Sequence, residues 1–494
     1  MTPKHVVIVG GSVTGLGAAL AFSNEGHRVT VLERDATPMP ASHVEAFERW
    51  DRRGSPQVRH SHAFLARLYG LIRDHAPGLL RRFLECGAEE LRFADLARRS
   101  LPEAELEPGD ADVVMLACRR ITFEYLLRRW VIDSGRVDFR DGDDVTGLVA
   151  KGSSGGAPLV GGVRLTNGRG EREELAADLV LDASGRRSKL CDWLEAVGVK
   201  RPRQESEPCG IFYSSRFYRL RDGATPPPLT NGMGQDLGYL KIGLFPGDAR
   251  IFSLTLAASP DDDVLRGVLR TRGFERAARA LPFLRGWIDE QVAVPISDVH
   301  GMANLRNTRH FFVESGEPLA LGVLALGDAH IHTNPITGRG CSLGWVSAFL
   351  AAESLRKEPE DLRALALQFD AGVVREIVPW YELQRQQDRD AIEVDAIQRR
   401  GEDPFKTERP DGSQDPKAFM RSLVREGLGH ALRQDIHVLR AFMRVLNLLD
   451  PPEDLLRRPE IFQSVLRAWN ERHTRPPLAE GPSRAQMIEL LRAA

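Results

Sequence analysis

The chain has 494 residues, too many for one ordinary core and suited to two or three lobes. Its 42% hydrophobic and 28% charged content is that of a soluble globular enzyme, and a net charge of -2 supplies no field for nucleic acid. Cys86, Cys118, Cys191, Cys209 and Cys341 are odd in number and form no CxxC pair, which points to reduced thiols in a cytoplasmic setting. No apolar run approaches the ~18 residues of a transmembrane segment, and the chain enters a strand so early that no signal peptide is expected.

His5 to Val9 (HVVIV) is an apolar run fit for a parallel strand covered on both faces. Gly10-Gly11-Ser12-Val13-Thr14-Gly15 follows, then a helical segment from Leu16 to Asn24 and a second strand, Arg28 to Leu32, that ends at Glu33 and Arg34. This is a βαβ unit with a dinucleotide fingerprint. Gly10 makes the tight turn, Gly15 lets helix and strand pack closely, and Glu33 can accept from a ribose hydroxyl. Ser12 replaces the usual middle glycine; it is small and can donate to phosphate.

Further along, QVRHSHAFL carries His60 and His62 ahead of a helix, and RRITFEYLLRRW reads as a helix with Arg120 near its start and Arg128 and Arg129 solvated. Asp178 to Gly185 (DLVLDASG) is another apolar strand, running into a small-residue turn with Arg186, Arg187 and Ser188 behind it. From Arg201 to about Ser297, GIFYSSRFYRL, GYLKIGLFPG and RIFSLTLAA are strand-like runs parted by Pro- and Gly-rich turns. Two short helical patterns follow, Asp262 to Leu269 and Phe274 to Leu281. The expected organisation is therefore residues 1–200 and 298–356 as two halves of one nucleotide-binding domain, 201–297 as a β-rich insert, and 357–494 as a helical region. A polar loop from Gly401 to Pro416 interrupts that last region. Ile436 to Asp450 is amphipathic, and core packing is the expected use of such a stripe, with a membrane-surface or partner helix as the alternative.

Leu324 to Ser342, LALGDAHIHTNPITGRGCS, is the most informative piece. A strand ends in Gly327-Asp328, a loop follows with Pro335, Gly338 and Gly340, and a helix runs from about Ser342 to Leu355. An acid at a strand end suits a ribityl or ribose hydroxyl. Glycines before a helix N-terminus suit a delocalised anion, because unpaired N–H groups and the helix dipole favour negative charge there.

Gly10-x-Ser12-x2-Gly15 with Glu33, then Arg120-x2-Phe123-Glu124-x2-Leu127, then Asp182-Ala183-Ser184-Gly185-x2-Ser188, then Gly327-Asp328 with Pro335, Gly338 and Gly340, resembles the single-component FAD-dependent monooxygenases in both content and order. These are of the aromatic-hydroxylase type and are related to flavin halogenases and geranylgeranyl reductases. The resemblance covers the flavin-binding part and is thin over the insert and the C-terminal tail. It implies an α/β fold: a Rossmann-like, glutathione-reductase-like FAD-binding domain with an inserted antiparallel β-sheet substrate domain and a helical C-terminal region. FAD would lie extended, its adenine half near Gly10, Ser12, Gly15, Glu33 and Arg34, and its flavin half near Gly327, Asp328, Pro335, Gly338 and Gly340. Arg120 would meet the pyrophosphate or ribityl region, with Asp182 and Gly185 beside it. Reduced flavin would form a C4a-hydroperoxide with O2 and oxygenate an aromatic or apolar small molecule.

No second strand–GxGxxG–helix unit is evident, so NAD(P)H is expected as a transient reductant, or a partner flavin reductase supplies reduced flavin. A reductase or dehydrogenase of an isoprenoid-like substrate is the alternative. Halogenation is disfavoured, since no Trp-x-Trp-x-Ile-Pro segment is present and no lysine lies between Lys4 and Lys151. His60, His62, His330 and His332 form two His-x-His pairs without nearby Cys or acid at ligand spacing, so no metal is expected. They suit a polar wall or structural hydrogen bonds, and His62, His332 and Pro335 are the candidate catalytic residues. Phe212, Tyr213, Phe217, Tyr218, Tyr239 and Phe245 give the insert aromatic character, although strand alternation should turn half of them into the core.

Overall fold

The computed structural model describes residues 2–154, 156–229, 232–409, 411–475 and 480–493. In its first part the chain threads β1 (His5–Val9), α1 (Val13–Asn24), β2 (Arg28–Glu33), α2 (Phe93–Ser100), α3 (Arg120–Asp133), β3 (Val137–Asp141) and β4 (Leu179–Asp182). It continues through β5 (Phe212–Leu220), β6 (Lys241–Pro246), β7 (Ile251–Ala258), α4 (Thr271–Ala280) and β8 (Val323–Ala325). The last part holds α5 (Gly340–Lys357), α6 (Val378–Arg399), α7 (Ile436–Leu446) and α8 (Arg484–Arg492), with shorter strands and turns between all of these.

Five parallel strands form the central sheet in the order β8-β4-β1-β2-β3. All five residues of β1 and all four of β4 are buried, as their unbroken apolar runs require for a sheet covered on both faces. α1 begins at Val13, three residues before the expected start, because Ser12 has the extended backbone of an N-cap and helical geometry follows at once. α5 likewise starts at Gly340 rather than near Ser342.

α5 lies directly on α1. Trp345 donates from Nε1 to the Val13 carbonyl at 3.0 Å, and its ring occupies the space a side chain at Gly17 would need. A Cβ on Gly344 would sit 2.4 Å from Thr14 Oγ1. Small residues on both helices therefore bring their N-termini to the same side of the sheet.

β6, β7 and β5 pair antiparallel in a second sheet of six strands. That sheet extends past Ser297, since His300–Met302 also pairs with β5. α8 returns to this insert, placing Met487 and Leu491 in one core with Phe274, Ala277 and Leu281. The helical C-terminal region is thus partly built into the insert, which the sequence had not indicated. Burying two such side chains contributes ~1.5–3 kcal/mol each.

The hairpin between β6 and β7 ties the insert to the nucleotide-binding domain. At its tip Asp248, fully buried, accepts from the Arg119 backbone N–H at 2.9 Å, from Arg119 Nη2 at 2.6 Å and from Thr122 Oγ1 at 2.9 Å. The next two residues, Ala249 and Arg250, have φ of 54° and 59°, a left-handed turn that non-glycine residues adopt at a cost and that the buried carboxylate holds in place.

Candidate functional site

A cavity of about 830 Å³ runs from the fingerprint turn to the antiparallel sheet. Its lining brings together Gly10, Ser12, Glu33 and Arg34 of the fingerprint unit, Arg120 and Gly185, and Asp328, His332, Pro335, Gly338 and Gly340. Tyr213, Phe245 and Thr255 of the insert, Phe93 of α2, and Phe442 and Met443 of α7 complete the lining. One face of the amphipathic α7 therefore lines the cavity. Its Arg440 is buried against Asp110 at 2.7 Å, so this helix is packed rather than offered to a surface.

Three expected cofactor residues stand behind the wall. Gly15 faces Gly10, where a Cβ would come within 1.8 Å of the Gly10 carbonyl oxygen, so its role is close packing. Asp182 is buried and accepts from the Ser184 N–H at 3.0 Å and from the Ser188 hydroxyl, which fixes the Ala183–Gly185 turn rather than reaching a ligand. Gly327 has φ of 53° and abuts Thr14 on α1. Among the insert aromatics, Tyr213 and Phe245 reach the cavity, whereas Phe212, Tyr218 and Tyr239 pack in the insert core and Phe217 in the main core. Trp380 and Tyr381 are buried away from it.

The residues fit a dinucleotide. Neither α1 nor α5 has a side-chain cap, so their first-turn N–H groups remain available to an anion. Gly10, with φ of +103°, packs against the Ala183 carbonyl at a distance no side chain would permit. Arg120 is buried, donates from Nη2 to Ser12 Oγ at 3.1 Å, and leaves Nε and Nη1 unpartnered. A buried guanidinium with two free N–H nitrogens on a cavity wall suits a pyrophosphate or ribityl group.

Beneath the fingerprint lies a buried ion network with Arg52 at its centre. Its guanidinium meets Glu33 Oε2 at 3.0 Å, Asp35 Oδ2 at 2.7 Å and Glu124 Oε1 at 2.8 Å. Arg128, expected to be solvated, is instead fully buried, because its guanidinium is sandwiched 5.0 Å from the Trp50 ring and 4.8 Å from Phe139 and donates to the Gly11 carbonyl. Arg129 is exposed as expected. Arg52, Arg120 and Arg128 thus balance Glu33, Asp35 and Glu124. Burial alone would raise the Glu124 carboxyl, but the three guanidiniums outweigh it and hold its pKa down to about 2. Ser12 Oγ donates to Glu124 at 2.7 Å, so the residue in place of the middle glycine is locked by this network.

The four histidines separate into two pairs. His62 and His332 line the cavity; His60 and His330 are buried behind it, and burial pushes each of the latter down to about 3. His60 Nδ1 lies 3.2 Å from Ser215 Oγ. His62 Nδ1 lies 3.0 Å from the His60 carbonyl, and burial together with Arg120 lowers its pKa to about 4. His332 Nε2 is 3.9 Å from Asp328 Oδ2. The five cysteines are all free. No described helix is long and apolar enough to cross a membrane.

The pyridine nucleotide-disulphide oxidoreductase family matches residues 5–52, the first βαβ unit and the segment reaching Arg52. Protein Rv3254 of Mycobacterium tuberculosis (strain ATCC 25618 / H37Rv) is 34% identical over 233 residues, 45% of this chain and 46% of that protein, so the match spans about half of the curated relative's length. Among solved structures, the flavin-dependent brominase Bmp2 is similar over 95% of this chain and 100% of its own, with 18% identity and a TM-score of 0.58. The OxyS anhydrotetracycline hydroxylase from Streptomyces rimosus is similar over 91% of this chain and 76% of its own, with 17% identity and a TM-score of 0.54. The chain has the fold of the FAD-dependent monooxygenases and halogenases.

Proposed function

We propose that the chain is an FAD-dependent monooxygenase that uses NAD(P)H and O2 to hydroxylate or epoxidise an aromatic or apolar small molecule. The observation that carries this reading is one cavity joining the fingerprint turn and the Asp328–Gly340 loop to a wall of apolar and aromatic insert residues. Bound FAD would supply the redox chemistry between NAD(P)H and O2. Arg120 and the uncapped first turns of α1 and α5 bind and orient its charged middle.

Tyr213, Phe245, Leu305 and Ile336 keep water from the substrate side of the loop. His62 is the group best placed to accept a hydrogen bond there. Because the His60 carbonyl can only accept, Nδ1 carries the hydrogen and Nε2 keeps its lone pair. With a pKa of about 4 the ring is unprotonated at neutral pH, so Nε2 accepts a hydrogen bond that orients a hydroxyl of the guest rather than holding its proton. A reductase or dehydrogenase acting on an isoprenoid-like substrate is the alternative, served by the same apolar wall.

The test is anaerobic. FAD-loaded protein is mixed with NADPH or NADH, with and without a panel of aromatic candidates, and flavin bleaching is followed. Bleaching accelerated by a candidate supports a self-sufficient hydroxylase and names the substrate class. Bound flavin that stays oxidised favours a partner reductase or hydride from the substrate itself. Protein that retains no flavin refutes the reading.

A further inference from the structure

The Asn334–Gly340 loop, which lines the cavity, is gripped from behind by two residues one turn apart on α6. Asp388 Oδ1 accepts from Asn334 Nδ2 and from Gln384 Nε2, each at 2.9 Å, and Oδ2 accepts from Asn307 Nδ2 at 2.7 Å. Gln384 Oε1 in turn accepts from Thr337 Oγ1 at 3.0 Å and Arg339 Nη1 at 3.1 Å. Asn307, Asn334, Arg339, Gln384 and Asp388 are all buried.

Every amide in this cluster has its orientation fixed by a partner that can only donate. Asn334 Oδ1 accepts from the Ile336 N–H, Asn307 Oδ1 from the Asn334 N–H, and Gln384 Oε1 from the Arg339 guanidinium. Three NH2 groups therefore converge on position 388, and only a group that accepts on both atoms satisfies them. Asparagine there would set one NH2 against another whichever way it turned. Asp388 has no cationic partner within ion-pair distance among the described residues, so the carboxylate is there as an acceptor for this loop.

We propose that Asp388 is a positioning residue for the cofactor, holding the Asn334–Gly340 loop in register against the flavin ring from the C-terminal helical region. This rests on the reading that FAD fills the cavity with its ring beside that loop. The cluster also specifies its own rescue. In the double variant Asn307→Asp/Asp388→Asn, position 307 accepts from the Asn334 N–H and from the new amide, while that amide's oxygen accepts from Asn334 and Gln384. All partners are again satisfied.

The experiment compares wild-type protein, Asp388→Asn and the double variant for FAD dissociation constant, bound-flavin visible spectrum and flavin midpoint potential. Asp388→Asn is expected to bind FAD at least about tenfold more weakly and to shift the spectrum and potential. The double variant is expected to return to within about threefold of wild type with the native spectrum. A single variant that matches wild type overturns the proposal, and so does a double variant no better than the single one. If Asp388→Asn does not fold, Gln384→Met serves instead, since it frees Thr337 and Arg339 while leaving Asp388 two donors; unchanged FAD affinity and spectrum there overturn the proposal. Wild-type protein that binds no FAD refutes the functional reading itself and is thereby told apart from failure of the clamp.

Discussion

Lowering the pH from about 8 to about 5 is expected to remove about 6 kcal/mol of folding stability through three imidazoles. His60 and His330 titrate at about 3 and His62 at about 4 in the folded protein, against 6.5 for a free imidazole, with burial the largest cause in each. A depressed folded value means that the contribution is complete above pH 6.5 and is lost as the pH falls. At about pH 5 the unfolded chain protonates each ring while the folded chain holds it neutral, which costs ~2 kcal/mol per histidine whatever the folded values are below that pH. His5, His27, His43, His300, His310 and His430 shift in the same direction and add to the loss, whereas Glu25, Asp182, Asp370 and Asp388, raised by burial, act against it as the pH falls. Glu124, held at about 2, changes the balance only at lower pH. A loss of ~6 kcal/mol is comparable with the whole stability of many domains. The assay is urea unfolding of flavin-free protein by tryptophan fluorescence and circular dichroism at both pH values, together with imidazole titration by NMR. A stability difference under ~2 kcal/mol, or His60, His62 and His330 resonances titrating near 6.5, refutes the reasoning.

Gly15→Val should force α1 away from β1, since even a Cβ would meet the Gly10 carbonyl oxygen at 1.8 Å, and the protein should purify without flavin colour; retained flavin would show the cofactor to be misplaced. Arg120→Met should leave the fold intact, because Glu124 keeps Arg52, yet weaken FAD binding by about 1.5–3 kcal/mol, measured by titration with FAD. An unchanged dissociation constant would mean that the free guanidinium nitrogens serve something else. Arg52→Met strips the central cation from Glu33, Asp35 and Glu124 and should destabilise the protein by about 3–5 kcal/mol in urea unfolding; a loss below ~1 kcal/mol would show the network to be incidental.

Much of this architecture is legible from short stretches. β1 has the bounds read from HVVIV, β2 runs one residue beyond the expected Leu32, and the three aromatic runs of the insert become β5, β6 and β7. Each is a local pattern of apolar period bounded by turn residues, and local pattern is what sequence carries plainly. The polar side chains that organise the site are harder to find. Arg52 meets Glu124 across 72 positions, and Asn307 meets Asp388 across 81, with no spacing rule linking them. Charged residues are solvated by default, so Arg128 reads as exposed until Trp50 and Phe139 are seen to enclose it. The split of the histidines has the same origin: His60 and His62 differ by two positions, and only the packing of the insert decides which one faces the cavity.

The grip of Asp248 on Arg119 and Thr122 bears on how such an enzyme can be re-engineered. Residues 201–297 look like a cassette that could be exchanged to change what is oxidised, but the hairpin tip holds the start of the helix whose next residue is Arg120. A chimera that imported an insert lacking this carboxylate would strand a buried guanidinium at Arg119 and slacken the arginine beside the cavity. Grafts would have to carry positions 119 and 248 together. Tyr213 and Phe245 take no part in the latch, so redesign of the guest by single replacements there leaves the two lobes joined.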